Sequence, residues 1–191
     1  VGMKDIQGGR VQIDHAIRVA LTDEQLADYK LRKGDILINR TNSPDLVGKT
    51  GLVLEDQNAV FASYLVRIKI DVLQADPEFI SYCMNSEAGQ RQMKTLSTRA
   101  ISQANINPTI FKKHFHIPFP PLDAQHEIAS ILRAWDTAIE KTERLFDAKE
   151  KRFAWLVSRL ILGGKHTHKH IRDVTNEVSK RNSGRAIDRV L

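Results

Sequence analysis

The 40 residues from Asp123 to Leu162 contain neither proline nor glycine, and they lie between Ile117-Pro118-Phe119-Pro120-Pro121 and Gly163-Gly164. At roughly 1.5 Å per residue, the stretch predicts a helix about 60 Å long. Steps of four and three along it visit Ile128, Leu132, Trp135, Ile139, Thr142, Phe146, Lys149, Phe153, Leu156 and Leu160, of which eight in ten are apolar. That spacing is a heptad seam. Arg133, Asp136, Glu140, Glu143, Arg144, Glu150 and Lys151 mark the opposite, solvated face. A helix much longer than about 25 residues is rarely a core element of one domain. No other segment of the chain predicts a helix of this size. The seam residues Ile128, Leu132, Trp135, Ile139, Phe146, Phe153, Leu156 and Leu160 are therefore expected to pair with a second long helix, from elsewhere in a longer protein or from another chain.

The remainder is long enough for one ordinary domain, and 41% hydrophobic residues suffice for a packed core. A net charge of +6 favours a polyanionic partner. The one cysteine, Cys83, excludes an internal disulfide and fits a cytoplasmic protein. No apolar run approaches the ~20 residues of a membrane span, and no signal-peptide pattern opens the chain. The first residues run straight into alternation without an initiator methionine, as in a piece of a larger protein.

Ahead of the long helix the pattern mixes short strands and helices, an α/β (α+β) arrangement. Asp5 to Val11 reads as a turn entering a short strand in which Val11, Ile13 and Ile17 alternate. Thr22 and Gln25 form a capping box for a short helix. Gly34-Asp35 is a turn before the buried strand Ile36-Leu37-Ile38. Thr50–Leu54 and Ala59–Ile70 predict two further strands, with Ser63, Arg67 and Lys69 on the face opposite Tyr64. Asp76-Pro77 opens a helix whose apolar stripe is Phe79, Ile80, Cys83 and Met84. A second helix runs from Glu87 to about Leu96, a short one from Pro108 to Lys112, and Phe115 and Ile117 predict a last strand.

Two polar stretches interrupt this pattern. Asn39-Arg40-Thr41-Asn42-Ser43 follows a buried strand, where recognition loops often sit. Ser97 to Pro108 carries Thr98, Arg99, Ser102, Gln103, Asn105 and Asn107; Arg pairs with guanine, and Gln or Asn with adenine, in the major groove. The alternative reading of each is a solvated loop, the second an Asn/Ser-rich turn. Val47-Gly48-Lys49-Thr50-Gly51 fails as a phosphate loop because its first glycine is missing. Gly48 and Gly51 instead predict a bend between strands, leaving Lys49 free to meet a phosphate. Cys83 reads as a core thiol, since no activating group is placed beside it. His114 and His116 read as surface histidines and not as metal ligands.

These phrases occur in a familiar order: Leu31-x-x-Gly34-Asp35-Ile36-Leu37-Ile38-x-Arg40, then Gly48-Lys49, then Gln103-x-Asn105-Ile106, then Ile117-Pro118-x-Pro120-Pro121-Leu122-x-x-Gln125-x-x-Ile128. From Asp5 to about Gly164 the chain resembles the specificity subunit of a type I restriction-modification system, the Pro-Pro-Leu-x-x-Gln lead-in to the helix being the most specific part. The resemblance implies a target recognition domain over residues 1–120 that lacks its first segment, and a conserved spacer helix over 121–164. Residues 165–191 would be a linker and the start of a second recognition domain, from Ile171 to Val178. It implies double-stranded DNA as a partner, one half of a bipartite site being read. It also implies antiparallel pairing of long helices, docking of modification (methyltransferase) subunits and, through them, of the restriction subunit. No catalysis, cofactor or metal is implied. Arg40, Asn42, Ser43, Lys49, Ser63, Tyr64, Arg67, Arg99, Gln103 and Asn105 are the expected DNA-binding residues. Two other readings stay open: the recognition domain of a single-chain restriction enzyme or methyltransferase, and a coiled-coil adaptor that binds protein.

Overall fold

Strand β3 (Ile36–Asn39) lies between β5 (Thr50–Leu52) and β6 (Leu65–Ile68), antiparallel to both. All four of its residues are buried. Period-two alternation divides its side chains between two clusters. Ile36 and Ile38 pack with Val47, Phe79, Met84 and Met93, while Leu37 packs with Ile6, Leu31, Val53 and Leu65. Each such large apolar side chain contributes about 1.5–3 kcal/mol on leaving water. A hairpin, β1 (Ile6–Gln7) and β2 (Arg10–Val11), extends the sheet to the order β1-β2-β5-β3-β6. Its two-residue turn is Gly8-Gly9, both at positive φ (54° and 75°), as a hairpin turn that follows the strand twist requires.

The computed structural model describes residues 1–13, 17–44, 46–99, 103–163, 167 and 169–174. The chain divides into two compact units, Val1–Ala138 and Ile139–Leu191. Within the first, a second sheet has the order β4-β8-β7, formed by β4 (Thr41–Asn42), β7 (Ser97–Arg99) and β8 (Ala104–Ile106). The chain crosses between the sheets at Arg40. Its N–H donates to the Tyr64 carbonyl at 3.2 Å on the first-sheet side, and its carbonyl accepts from Ile106 N–H at 2.8 Å on the second.

The helices start where their caps predict. Thr22 and Gln25 close the capping box of α1 (Asp23–Tyr29). The Asp76 carboxylate accepts from Glu78 and Phe79 N–H at the start of α2 (Pro77–Asn85). Ser86 caps α3 (Glu87–Leu96), and Asn107 caps α4 (Pro108–His114). Helix α5 runs from Leu122 to Val157 and passes into a π-helical turn, Ser158–Leu162. Its first turns belong to the first unit, where Gln125 and Ala129 are buried. The eight seam residues are all exposed, from 36% at Leu156 to 69% at Phe153. Among the described residues the next longest helix is α3, with 10 residues.

Several expectations are corrected. The strand expected over Ala59–Ile70 is limited to Leu65–Ile68. Upstream of it, the Ala59 carbonyl accepts from Leu31 N–H, and Val60 and Ala62 bond the backbone of Val1. Single loop contacts thus satisfy groups that a ladder would otherwise use. The strand expected at Phe115–Ile117 does not form; the Gln92 side chain bonds both N–H and carbonyl of His116 at 2.9 Å and takes the place of a neighbouring strand. Ser97 to Ile106, read as a possible turn, contains the paired strands β7 and β8. The alternation through Ile13 and Ile17 makes no strand beyond Val11 among the described residues, and both side chains are exposed. Gly48, at φ 83°, makes the bend, but Gly51 lies within β5. Of the tail, Lys165, His166, His168 and residues 175–191 lie outside the described residues, so the second half of the expected second-domain start, 175–178, falls there.

Candidate nucleic-acid interface

The second sheet has one apolar and one polar face. Ala104 and Ile106 are buried, and Asn105 between them is exposed. Register sets Thr41 and Thr98 opposite Asn105 on either side. Residues paired in this way share a face. The Thr41 hydroxyl approaches Asn105 Oδ1 at 3.4 Å, and the Thr98 hydroxyl donates to the Asn105 carbonyl at 3.1 Å. The result is a row of hydroxyl, amide and hydroxyl facing solvent, with Gln103 exposed just ahead of β8. Asn105 retains its side-chain NH₂, which leaves it donors for a ligand.

A separate basic concavity lies by the N-terminal turn. The 3₁₀ turn Met3–Asp5 and the β1–β2 hairpin place Lys4 and Gln7 beside Lys49, with Gly8 and Ile17, around one concavity. Met3 also touches the polar loop, since Asn42 Nδ2 reaches its sulfur at 3.2 Å. The other end of the Asn42 amide accepts from Ser43 N–H at 2.8 Å, which turns the side chain along its own loop. Lys4 and Gln7 were not singled out in the sequence. One lysine and one glutamine beside a Gly-Gly turn carry no pattern, and only the fold brings them to Lys49.

Of the expected DNA-binding residues, Asn105 lies in the polar row, Gln103 just ahead of it and Lys49 at the concavity, while Asn42 stands opposite the buried Ala104 with its side chain turned along its own loop to Ser43. Arg40 stands at the junction of the two sheets, half-buried, and its Nε has no partner among the described residues. Asn39, fully buried beside it, likewise has its amide atoms unpaired among the described residues. Arg99 ends β7 opposite Ala104. Ser63 is exposed in a turn, and Tyr64 packs half-buried on the Ile6 and Leu37 cluster. Arg67 is turned inward. Its guanidinium donates to the carbonyls of Lys30 and Asp28 at 3.0 and 2.9 Å, lies 3.8 Å from the Asp35 carboxylate, and covers the Phe61 ring at 5.2 Å. With its side chain 14% exposed, it satisfies carbonyls at the C-terminus of α1. Arg67 thus serves the fold and leaves the candidate set. Burial pushes the Cys83 thiol up from its ordinary value, away from the thiolate a nucleophile needs. Among the described residues no three His, Cys, Asp or Glu side chains form a metal-binding group, and no helix is long and apolar enough to cross a membrane.

The family model for the type I restriction modification DNA specificity domain matches residues 9–145. The chain belongs to this family. Among curated proteins, it is 27% identical over 150 residues to one from Methanocaldococcus jannaschii named for the specificity subunit of a type I restriction enzyme, MjaX. That match covers 78% of this chain and 35% of the relative. It is 29% identical over 141 residues to the EcoBI specificity subunit of Escherichia coli, covering 72% of this chain and 29% of that one. The crystal structure of the HsdS subunit from Thermoanaerobacter tengcongensis shares the fold, with a TM-score of 0.55 at 19% identity over 83% of this chain and 40% of that one. The chain therefore spans about a third of the length of the curated relatives it matches.

Proposed function

We propose that this specificity domain reads one half of a bipartite double-stranded DNA site through the face that carries Thr41, Thr98, Gln103 and Asn105, with Lys4 and Lys49 on the phosphate backbone. The observation that carries the reading is the exposed polar row, on a unit that also carries a lysine pair around one concavity, in a member of a DNA specificity family. Lysines supply affinity without sequence information, and amides on base edges supply specificity. Long-helix pairing with an equivalent helix, through Ile128 to Leu160, would hold a second recognition domain at a fixed distance and present a dock for modification subunits. The chain itself performs no catalysis in this reading, which places it in the cytoplasm with the methyltransferase and restriction subunits.

The test is DNA binding by the chain assembled with its modification subunits. Replacing Lys4 and Lys49 by alanine should weaken all sequences alike and flatten the log–log salt slope by about two units, one for each phosphate contact. Replacing Gln103 or Asn105 should change the methylated sequence more than nonspecific affinity. An unaltered salt slope together with an unaltered recognition sequence would move the DNA to another face.

A further inference from the structure

We infer that Gln7 and Ile17 read one A·T base pair of the target, Gln7 on the adenine edge and Ile17 on the thymine 5-methyl group. The inference rests on the function proposed above. It adds a second place of base contact, at the lysine concavity and separate from the polar row.

Packing does not account for Ile17. The side chain is 86% exposed and belongs to neither core cluster. The Gln12 N–H donates to the Asp5 carbonyl at 2.7 Å and brings the chain back beside the 3₁₀ turn. Beyond that bond, Ile13 and residues 17–20 make no backbone hydrogen bond among the described residues. Yet Ile17 lines the same concavity as Lys4, Gln7, Gly8 and Lys49, and the next residue, Arg18, is exposed. Among the described residues Ile17 is the one apolar side chain of that lining. A protein partner would bury a cluster of large apolar side chains at the centre of its interface. Cations around a single apolar group fit a ligand that is anionic at its edges and apolar at one point between them. The major groove is such a ligand: phosphates border it, and the thymine methyl is the apolar group among its base edges.

Gln7 supplies the other half of the pair. Side chains alternate along β1, so the buried Ile6 leaves Gln7 pointing outward. Gln7 Nε2 donates to the Lys4 carbonyl at 3.0 Å, which orients the amide. One N–H and the amide oxygen remain for a ligand. A glutamine amide meets adenine with those two groups, donating to N7 and accepting from the N6 amino group. The same base pair presents the thymine methyl farther along its major-groove edge. Gly8 follows in the turn with open space where a side chain would stand, which leaves room for that edge. Insertion between bases is the other use of an apolar side chain at DNA, but the cost of unstacking calls for a firmly backed wedge. A segment without ladder bonds offers no such backing, and contact with a methyl group requires none.

The experiment uses the full chain assembled with its modification subunits and duplexes that carry the site it methylates. Each thymine of the half-site is replaced singly by deoxyuridine, which lacks the 5-methyl group and keeps the pairing. At one position the replacement should weaken binding about fourfold, the worth of one methyl group taken out of water. Ile17→Ala should lose at least as much on the parental site and lose nothing further with deoxyuridine at that position, since both changes remove one contact. Gln7→Ala should relax the base preference at the same pair. Nonspecific affinity and its salt slope should not change in either variant; a uniform loss on all sequences would make Ile17 structural and overturn the inference. Deoxyuridine without effect at every thymine, or an effect that persists in full in Ile17→Ala, would overturn this inference alone where Lys4→Ala and Lys49→Ala still flatten the salt slope. An unaltered slope in the lysine variants would remove DNA from the concavity, and this inference with it.

Discussion

The side chain of Gln125 accepts a 3.0 Å hydrogen bond from the backbone N–H of Asp76, 49 residues earlier in the chain. Asp76 in turn caps α2 with its carboxylate, so one residue both starts that helix and seats the base of α5. Gln125 closes the arrangement by donating to the Pro120 carbonyl at 2.8 Å.

Gln125→Leu keeps the volume and leaves both backbone groups without partners. An orphaned buried polar group costs about 1–3 kcal/mol. Urea unfolding followed by circular dichroism should show a lower midpoint by an amount in that range for at least one group. An unshifted midpoint would show that water reaches and satisfies both.

Glu78 supplies a pH signature. Burial raises its carboxyl above the ordinary 4.5, and the nearby Arg133 guanidinium offsets this only in part. The folded state therefore binds more protons than the unfolded one just above 4.5, and stability falls as pH rises through that window. Glu78→Gln removes the titration. The parent should lose stability relative to the variant as pH increases from 4.5, read from unfolding midpoints at a series of pH values. Parallel pH profiles would mean that the Arg133 pairing cancels the burial.

Gly48 sits at φ 83°, and a Cβ there would lie 2.6 Å from Met93 Cβ. Gly48→Ala combines left-handed strain with a clash on a fully buried side chain, at a cost of about 2 kcal/mol or more. A thermal midpoint equal to that of the parent would show that α3 can move away freely.

Inserting four residues after Ala148 lengthens α5 by about 6 Å. If paired helices set the half-site separation, the methylated site should keep both half-site sequences and gain about one to two base pairs of spacer, at about 3.4 Å each. Genome-wide mapping of methylation reads this directly; the same spacer from an active complex would rule out the ruler.

The helices were legible in the sequence because their signals are local. Asp76-Pro77, Ser86, Asn107-Pro108 and the Thr22/Gln25 pair each fix a start by bonds within three residues. The seam of α5 was legible for the same reason, as periodicity needs no knowledge of the partner. Strand β3 announced itself as an apolar run. The second sheet did not, because Ser97-Thr98-Arg99 and Thr41-Asn42 are polar strands held by backbone pairing to β8, and polarity read as loop. Arg67 looked like a surface cation. Its commitment to Asp28, Lys30 and Asp35 depends on a fold in which positions more than 30 residues apart meet. Lys4 joined Lys49 by the same long-range route.

The paired strands β7 and β8 keep their register through main-chain bonds and two buried apolar residues, Ala104 and Ile106, while Thr98, Gln103 and Asn105 contribute nothing to the core. The side chains displayed to the outside are thus uncoupled from the frame that displays them. If these positions read DNA as proposed, point changes at them, or exchange of the two strands with those of a relative, would alter what is read at little expense in stability. On that reading, a lineage that must keep changing the target it recognises would have here a surface on which new specificities arise one substitution at a time, with the scaffold left intact between each.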